Sequence, residues 1–348
     1  MRSLKKQYDL LNAIKIVAAF FVVCIHVSFP KTVGNIVIGF ARFAVPFFFM
    51  VSGFFSYYED KSLLDCKYKR KIVHLLKLFI GSVMLYFCYK LSISIVNGSF
   101  LEYIKSVFSL NSFVELLIFN NVRVTEALWF IPALIYVYVV FYVIEKKKIT
   151  DKMYFLIPVL FLIGVILREM LEFIPNLPAI FSKSYLCRNF LFVGIPFFML
   201  GHYIRVNETK FFDKFSDFGL VTLMILGSAE AVFCNIFHAT KSVYIGTLVT
   251  VFALFVFAVK NEDKINFPFL SKLGARYSLY VYIFHILIKD IIKKFIAIVN
   301  PNEIVNNCLS WIMPILVFVV TLFVSIIYVK IKNQLITIIK NRRNKQCI

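Results

Sequence analysis

The sequence predicts an all-α integral membrane protein of about ten transmembrane helices, with both termini on the cytoplasmic side. Three observations carry this. Of 348 residues, 60% are apolar and only 17% charged, at a mean hydropathy of +0.82. A soluble globule needs about a quarter of its residues charged to solvate its surface. Ten stretches are apolar over the roughly 17–25 residues that a bilayer core requires: 11–30, 40–57, 76–97, 126–144, 153–172, 188–205, 216–237, 242–260, 277–298 and 309–330. Finally, Lys and Arg are segregated among the alternate connections. The apolar runs are continuous rather than alternating, which excludes a lipid-facing β-barrel. Forty-one Phe and 18 Tyr against 12 Gly and 10 Pro exclude a disordered chain.

Orientation follows from the basic residues. With the N-terminus inside, segments 1–10, 57–77, 145–152, 205–215, 260–276 and 330–348 hold 26 Lys and Arg. The outer segments 31–41, 98–125, 173–187, 238–242 and 299–308 hold five. Positive charge is retained on the cytoplasmic side, so an N-in, C-in protein is expected. Lys289, Lys293 and Lys294 break the pattern at the outer end of the ninth span; they snorkel or serve a site. The net charge of +20 then reads as this bias plus attraction to anionic lipid and ligands, not to nucleic acid.

The chain is expected to form one polytopic domain over 1–348, ending in a basic cytoplasmic tail at 331–348. The connection 98–125 carries Glu102, Lys105 and Glu115 among apolar residues, the composition of an interfacial amphipathic or re-entrant helix. No inverted repeat, cleavable signal or appended soluble domain is expected. The seven Cys lack ligand-like spacing, so neither a disulfide framework nor a metal site is expected.

Ionisable side chains inside spans are costly to bury and mark candidate sites. In the first span Lys15 and His26 are eleven residues apart. That is about 1100° of rotation and roughly 16 Å of rise, so both lie on one helix face, one near each membrane surface. A neutral imidazole is suited to accept a proton near pH 7. Arg42 opens the second span in RFAVPFFFMVSGFF, Glu126 the fourth in EALWFIPALIYVYVV, and Arg188 the sixth in CRNFLFVGIPFFMLG. Glu230 lies in the outer third of the seventh span, and His285 near the middle of the ninth. The topology gathers these six toward the outer half, the pattern of a polar chamber opening outward. On the inner side KYKRK places Arg70 and Lys71 where anionic headgroups or the phosphates of a nucleotide or CoA would lie. There is no Walker motif or G-x-G-x-x-G.

These blocks resemble the acyltransferase 3 family of membrane-bound acyltransferases over about residues 8–330. The family opens with Arg, ten residues and His; here Lys15 stands for the Arg, and His26 matches the catalytic histidine. RFAVPFFFMVSGFF, ALWFIPALIYVYV, RNFLFVGIPFFMLG and SLYVYIFH follow in the family's order. Ala127 stands where many relatives carry His, and KYKRK matches the Arg-x-x-Arg element loosely.

The resemblance implies a ten-span bundle and a cytoplasmic acyl-CoA donor, most commonly acetyl-CoA. It also implies an extracytoplasmic acceptor hydroxyl on a glycan or other cell-envelope molecule. In this expectation Lys15, Arg70 and Lys71 hold the CoA phosphates. His26 acts as general base or transient acyl carrier, Arg42 or Arg188 stabilises the oxyanion, and Glu126 or Glu230 orients the imidazole. A transporter or flippase of a glycan lipid or small polar solute is the alternative, because a polar chamber above a basic mouth also suits transport.

Overall fold

The computed structural model describes residues 8–173, 188–237 and 244–346. Among these residues all regular structure is helical. The α-helices are α1 (Asp9–His26), α2 (Lys31–Ala41), α3 (Ala44–Phe54), α4 (Leu64–Val96), α5 (Phe100–Val107), α6 (Leu110–Phe119), α7 (Phe130–Lys146) and α8 (Thr150–Met153). There follow α9 (Leu156–Phe173), α10 (Ile195–Val206), α11 (Glu208–Lys214), α12 (Asp217–Phe237), α13 (Ile245–Lys260), α14 (Pro268–Val299) and α15 (Glu303–Gln346). Most of the connection 173–187, the connection 238–242, Cys187 and Cys347 lie outside the described residues.

Helix lies over each of the ten apolar stretches, but length and composition qualify seven as membrane-crossing. The helical segment Phe190–Val206 followed by α11 makes an eighth if the pair, bent by 86°, is one span. α13 has only 16 residues. α14 is long enough at 32 residues, but Lys272, Arg276, Lys289, Asp290, Lys293 and Lys294 interrupt its apolar run. The count of ten is therefore not reached by this measure. The connection 98–125 forms the two short helices α5 and α6.

The chain divides into two compact units, Met1–Ala41 with Asn261–Ile348, and Arg42–Lys260. In the first, α1 and α14 run side by side in the same direction. Ser271 Oγ donates to Asp9 Oδ1 at 2.6 Å near their N-termini. Farther along, Gly274 lies directly against the Asn12 carbonyl, and the His26 and His285 rings meet beyond it. The approach at Gly274 leaves no room for a Cβ; small residues permit such backbone contact between apolar helices. The Leu10 amide at the start of α1 donates to both Glu262 carboxylate oxygens, at 3.0 and 3.2 Å, satisfying a helix N–H that has no intrahelical partner. Burial holds the Glu262 carboxyl above its ordinary range despite these bonds. α15 returns antiparallel along α14, with Tyr328 against Tyr280 at 5.1 Å and Lys332 donating to the Tyr280 hydroxyl at 2.8 Å.

In the second unit α3 and α10 share a similar glycine contact. Gly53 faces the Phe198 carbonyl and Gly201 faces the Met50 carbonyl, each without space for a Cβ. Leucine at Gly53 or Gly201 is therefore expected to separate the pair and cost about 1–3 kcal/mol or more, read as a lower melting temperature of the detergent-solubilised protein. α4 and α7 pack antiparallel through Tyr68, Tyr138 and Tyr142. α12 and α13 form an antiparallel hairpin on which Gly227 and Gly246 meet backbone to backbone. Before α10, the Asn189 carboxamide oxygen accepts from the Leu191 and Phe192 amides at 2.9 and 3.1 Å, capping a single wide turn at Phe190–Gly194.

Candidate functional site

The first unit brings two of the expected residues together. His26 is the last residue of α1, half-buried, and its ring centroid is 5.1 Å from that of fully buried His285. Val27 N–H caps the helix onto the Val23 carbonyl at 2.8 Å, which fixes where α1 stops. The His285 ring is fixed as well: Nδ1 lies 2.7 Å from the Tyr282 carbonyl oxygen. A carbonyl can only accept, so Nδ1 carries a proton, and in the neutral ring Nε2 is the acceptor. That Nε2 is buried and has no hydrogen-bond partner among the described residues.

His26 opens onto a cavity of about 330 Å³ at the C-terminal end of α1. Its polar lining is Ser28, Lys293, Asn306 and Ser310, with Val27, Ile296, Leu309 and Met313 supplying apolar walls. The unit therefore presents a titratable imidazole to a small polar space, backed by a second imidazole of fixed tautomer. Lys15 lies eleven residues earlier on α1 and is half-buried.

The remaining expected residues belong to the second unit. Arg42 Nη2 donates to Asn235 Oδ1 at 3.4 Å, and the Tyr244 hydroxyl reaches the same oxygen at 3.5 Å. Glu230 Oε2 accepts from the Gly246 amide at 2.9 Å, so its carboxylate caps the start of α13. Arg42 and Glu230 thus lie at the same end of the α12–α13 hairpin. Glu126 is exposed in the first turn of a short 3₁₀ segment, Glu126–Trp129. Arg188 is half-buried just ahead of the Asn189 cap.

Of the expected phosphate ligands, Arg70 is exposed on α4, beside exposed Lys69. Lys71 is already engaged: its ammonium donates to the Phe55 carbonyl at 2.8 Å and lies over the Tyr58 and Tyr138 rings at 5.5 and 5.1 Å. Arg70 therefore fits an anionic phosphate better than Lys71 does.

Sequence reasoning missed one polar cluster in the second unit. Lys61 Nζ donates to Glu145 Oε2 and Thr150 Oγ1 to Glu145 Oε1, both at 2.6 Å. His202 Nε2 stands 3.7 Å from Glu145 Oε1, while its Nδ1 meets the Tyr154 hydroxyl at 2.8 Å. Glu145 and His202 are both buried, and the group lines a cavity of about 570 Å³. Glu145 and His202 each lie at the end of an apolar run, where a charge ordinarily faces headgroups. Linear spacing gave no sign that they meet.

The comparisons with known proteins bear on the family. The family model described as an acyltransferase domain, of the acyltransferase 3 type, matches residues 8–330. An amino-acid racemase of Enterococcus faecalis is 25% identical over 268 residues, which is 72% of this chain and 35% of that protein. The chain thus spans about a third of the length of this relative. No solved structure matches. With nearly its whole length matched, and with several helices long and apolar enough to cross a bilayer, the chain is a multi-pass membrane protein that belongs to the acyltransferase 3 family.

Proposed function

We propose that the protein transfers an acyl group, acetyl by preference, from cytoplasmic acyl-CoA to a hydroxyl of an extracytoplasmic glycan or other cell-envelope acceptor. In this reading it spans the cell membrane ten times with both termini inside. The observation that carries it is His26 at the mouth of a polar cavity with His285 fixed behind it.

The thioester supplies an activated carbonyl; the chain's own residues supply the rest. His26 accepts the proton of the acceptor hydroxyl as its oxygen attacks that carbonyl. The carbon–sulfur bond then breaks and the proton passes from His26 to the departing thiolate, leaving an ester and free CoA. His285 is a positioning residue: its ring, tied to the Tyr282 carbonyl and 5.1 Å from that of His26, packs behind the catalytic imidazole. The roughly 16 Å rise from Lys15 to His26 along α1 is of the order of a pantetheine arm, which suits a donor whose phosphates stay at the cytoplasmic surface, with Lys15 as the contact on α1.

Membranes containing the protein are expected to move label from radiolabelled acetyl-CoA onto surface glycan, and membranes lacking it are not. Movement of an unmodified solute without labelled glycan would instead establish a carrier.

A further inference from the structure

Lys293 gives the His26 cavity a charge that none of the described residues in its lining balances. Of the three lysines at this end of α14, Lys289 lies 3.6 Å from Asp290, whereas Lys293 forms no ion pair among the described residues and lines the cavity. Among the described residues no carboxylate lines that cavity. The neutral donors are largely spent. Ser310 Oγ donates to the Asn307 carbonyl at 2.7 Å, and Asn306 Nδ2 to the Pro301 carbonyl at 2.9 Å. The Lys293 ammonium therefore remains as a donor with three hydrogens, next to an imidazole that can only add positive charge when it titrates. A neutral sugar would gain only an ordinary hydrogen bond from that exposed ammonium, and a cationic acceptor would be repelled by it. A ligand anion would meet it with a charge-assisted hydrogen bond.

Resting on the acyl-transfer reading above, we propose that the acceptor is an anionic glycan. Its carboxylate or phosphate is held by Lys293 while a nearby hydroxyl is presented to His26. Lys293 is then a specificity residue that acts on binding of the acceptor, not on the chemical step. Lys293 is exposed, so its effect should weaken as salt is raised.

Two measurements on the full-length protein test this, with three probes: a glucuronate-containing disaccharide, its carboxamide, and the corresponding sugar phosphate. The first is binding to the His26→Ala protein, which in this reading binds without turnover. The charged probes should bind about ten- to hundredfold more tightly than the carboxamide. Lys293→Gln in that background should erase the preference and Lys293→Arg should keep it. The second measurement is acyl transfer by the otherwise unaltered protein. Lys293→Gln should raise KM for the charged acceptors by about tenfold with kcat little changed. Whether carboxylate or phosphate binds better identifies the anion. Equal binding of charged and uncharged probes, or a preference that survives Lys293→Gln, overturns the proposal. Charge-dependent binding with no acyl transfer by any variant would instead uphold the anion site and refute the acyl-transfer reading.

Discussion

Replacing His26 with alanine is expected to lower acyl transfer by about 10²–10⁴-fold, the range for loss of a general acid–base group. Membrane insertion and melting temperature should hold. The separation of effects follows from where the residue stands. His26 is half-buried at the last position of α1, beyond fully buried Ala18, Ala19, Val23 and Cys24, which pack the helix. Truncation there removes an imidazole from the wall of a cavity and leaves the buried face of the helix intact. His26→Gln is the sharper variant, since it keeps a polar side chain of similar reach but cannot take up a proton near neutral pH. It should be nearly as inactive as alanine. Full activity in either variant would place the base elsewhere.

Replacing Gly274 with leucine is expected to have the largest structural effect, and to reach the chemistry through it. A Cβ at this position would meet the Asn12 carbonyl and then the Ile16 amide, both backbone atoms that cannot rotate away. The added side chain must push α14 from α1, at a cost of about 1–3 kcal/mol or more. The same two helices carry His285 and His26. Misplacement by about 1 Å at a reacting centre can cost about 10²-fold, so activity should fall by at least that much in protein that still inserts. Gly81→Ala is the control. It lies in α4 where an added Cβ meets nothing within 4 Å, and exchanging a helical glycine for alanine there should preserve or raise stability by up to about 1 kcal/mol. Wild-type activity in Gly274→Leu would show that the α1–α14 contact does not set the imidazole geometry.

What the sequence could reveal depended on the range of the interaction. Hydrophobic runs are local, so all ten stretches became helix, and the polar connection 98–125 became α5 and α6. The count of qualifying spans differs because Lys272, Arg276, Lys289, Asp290, Lys293 and Lys294 break the run in α14, and because α13 has only 16 residues. At the site, helical periodicity set His26 on the face of α1 that carries Lys15. Pairing of His26 with His285 depends on α1 packing against α14 from the far end of the chain. The long interval between them gave no local signal beyond depth. Glu230 shows the opposite limit: as a carboxylate in a span it looked like an orienting group, and in the structure its oxygen accepts from the Gly246 amide in the first turn of α13. Lys71 looked equivalent to Arg70 in KYKRK, yet one is tied to a carbonyl and two tyrosine faces while the other stays exposed.

Sealed proteoliposomes of uniform orientation put the question most directly. Labelled acetyl-CoA is supplied on the face nearer Lys15 of α1, and an anionic glycan acceptor only on the face bearing His26 and Lys293. Labelled ester should accumulate on the glycan across the intact bilayer, and His26→Gln vesicles should produce none. Ester formed only when both reactants share one compartment, or glycan that crosses unmodified, would contradict the account.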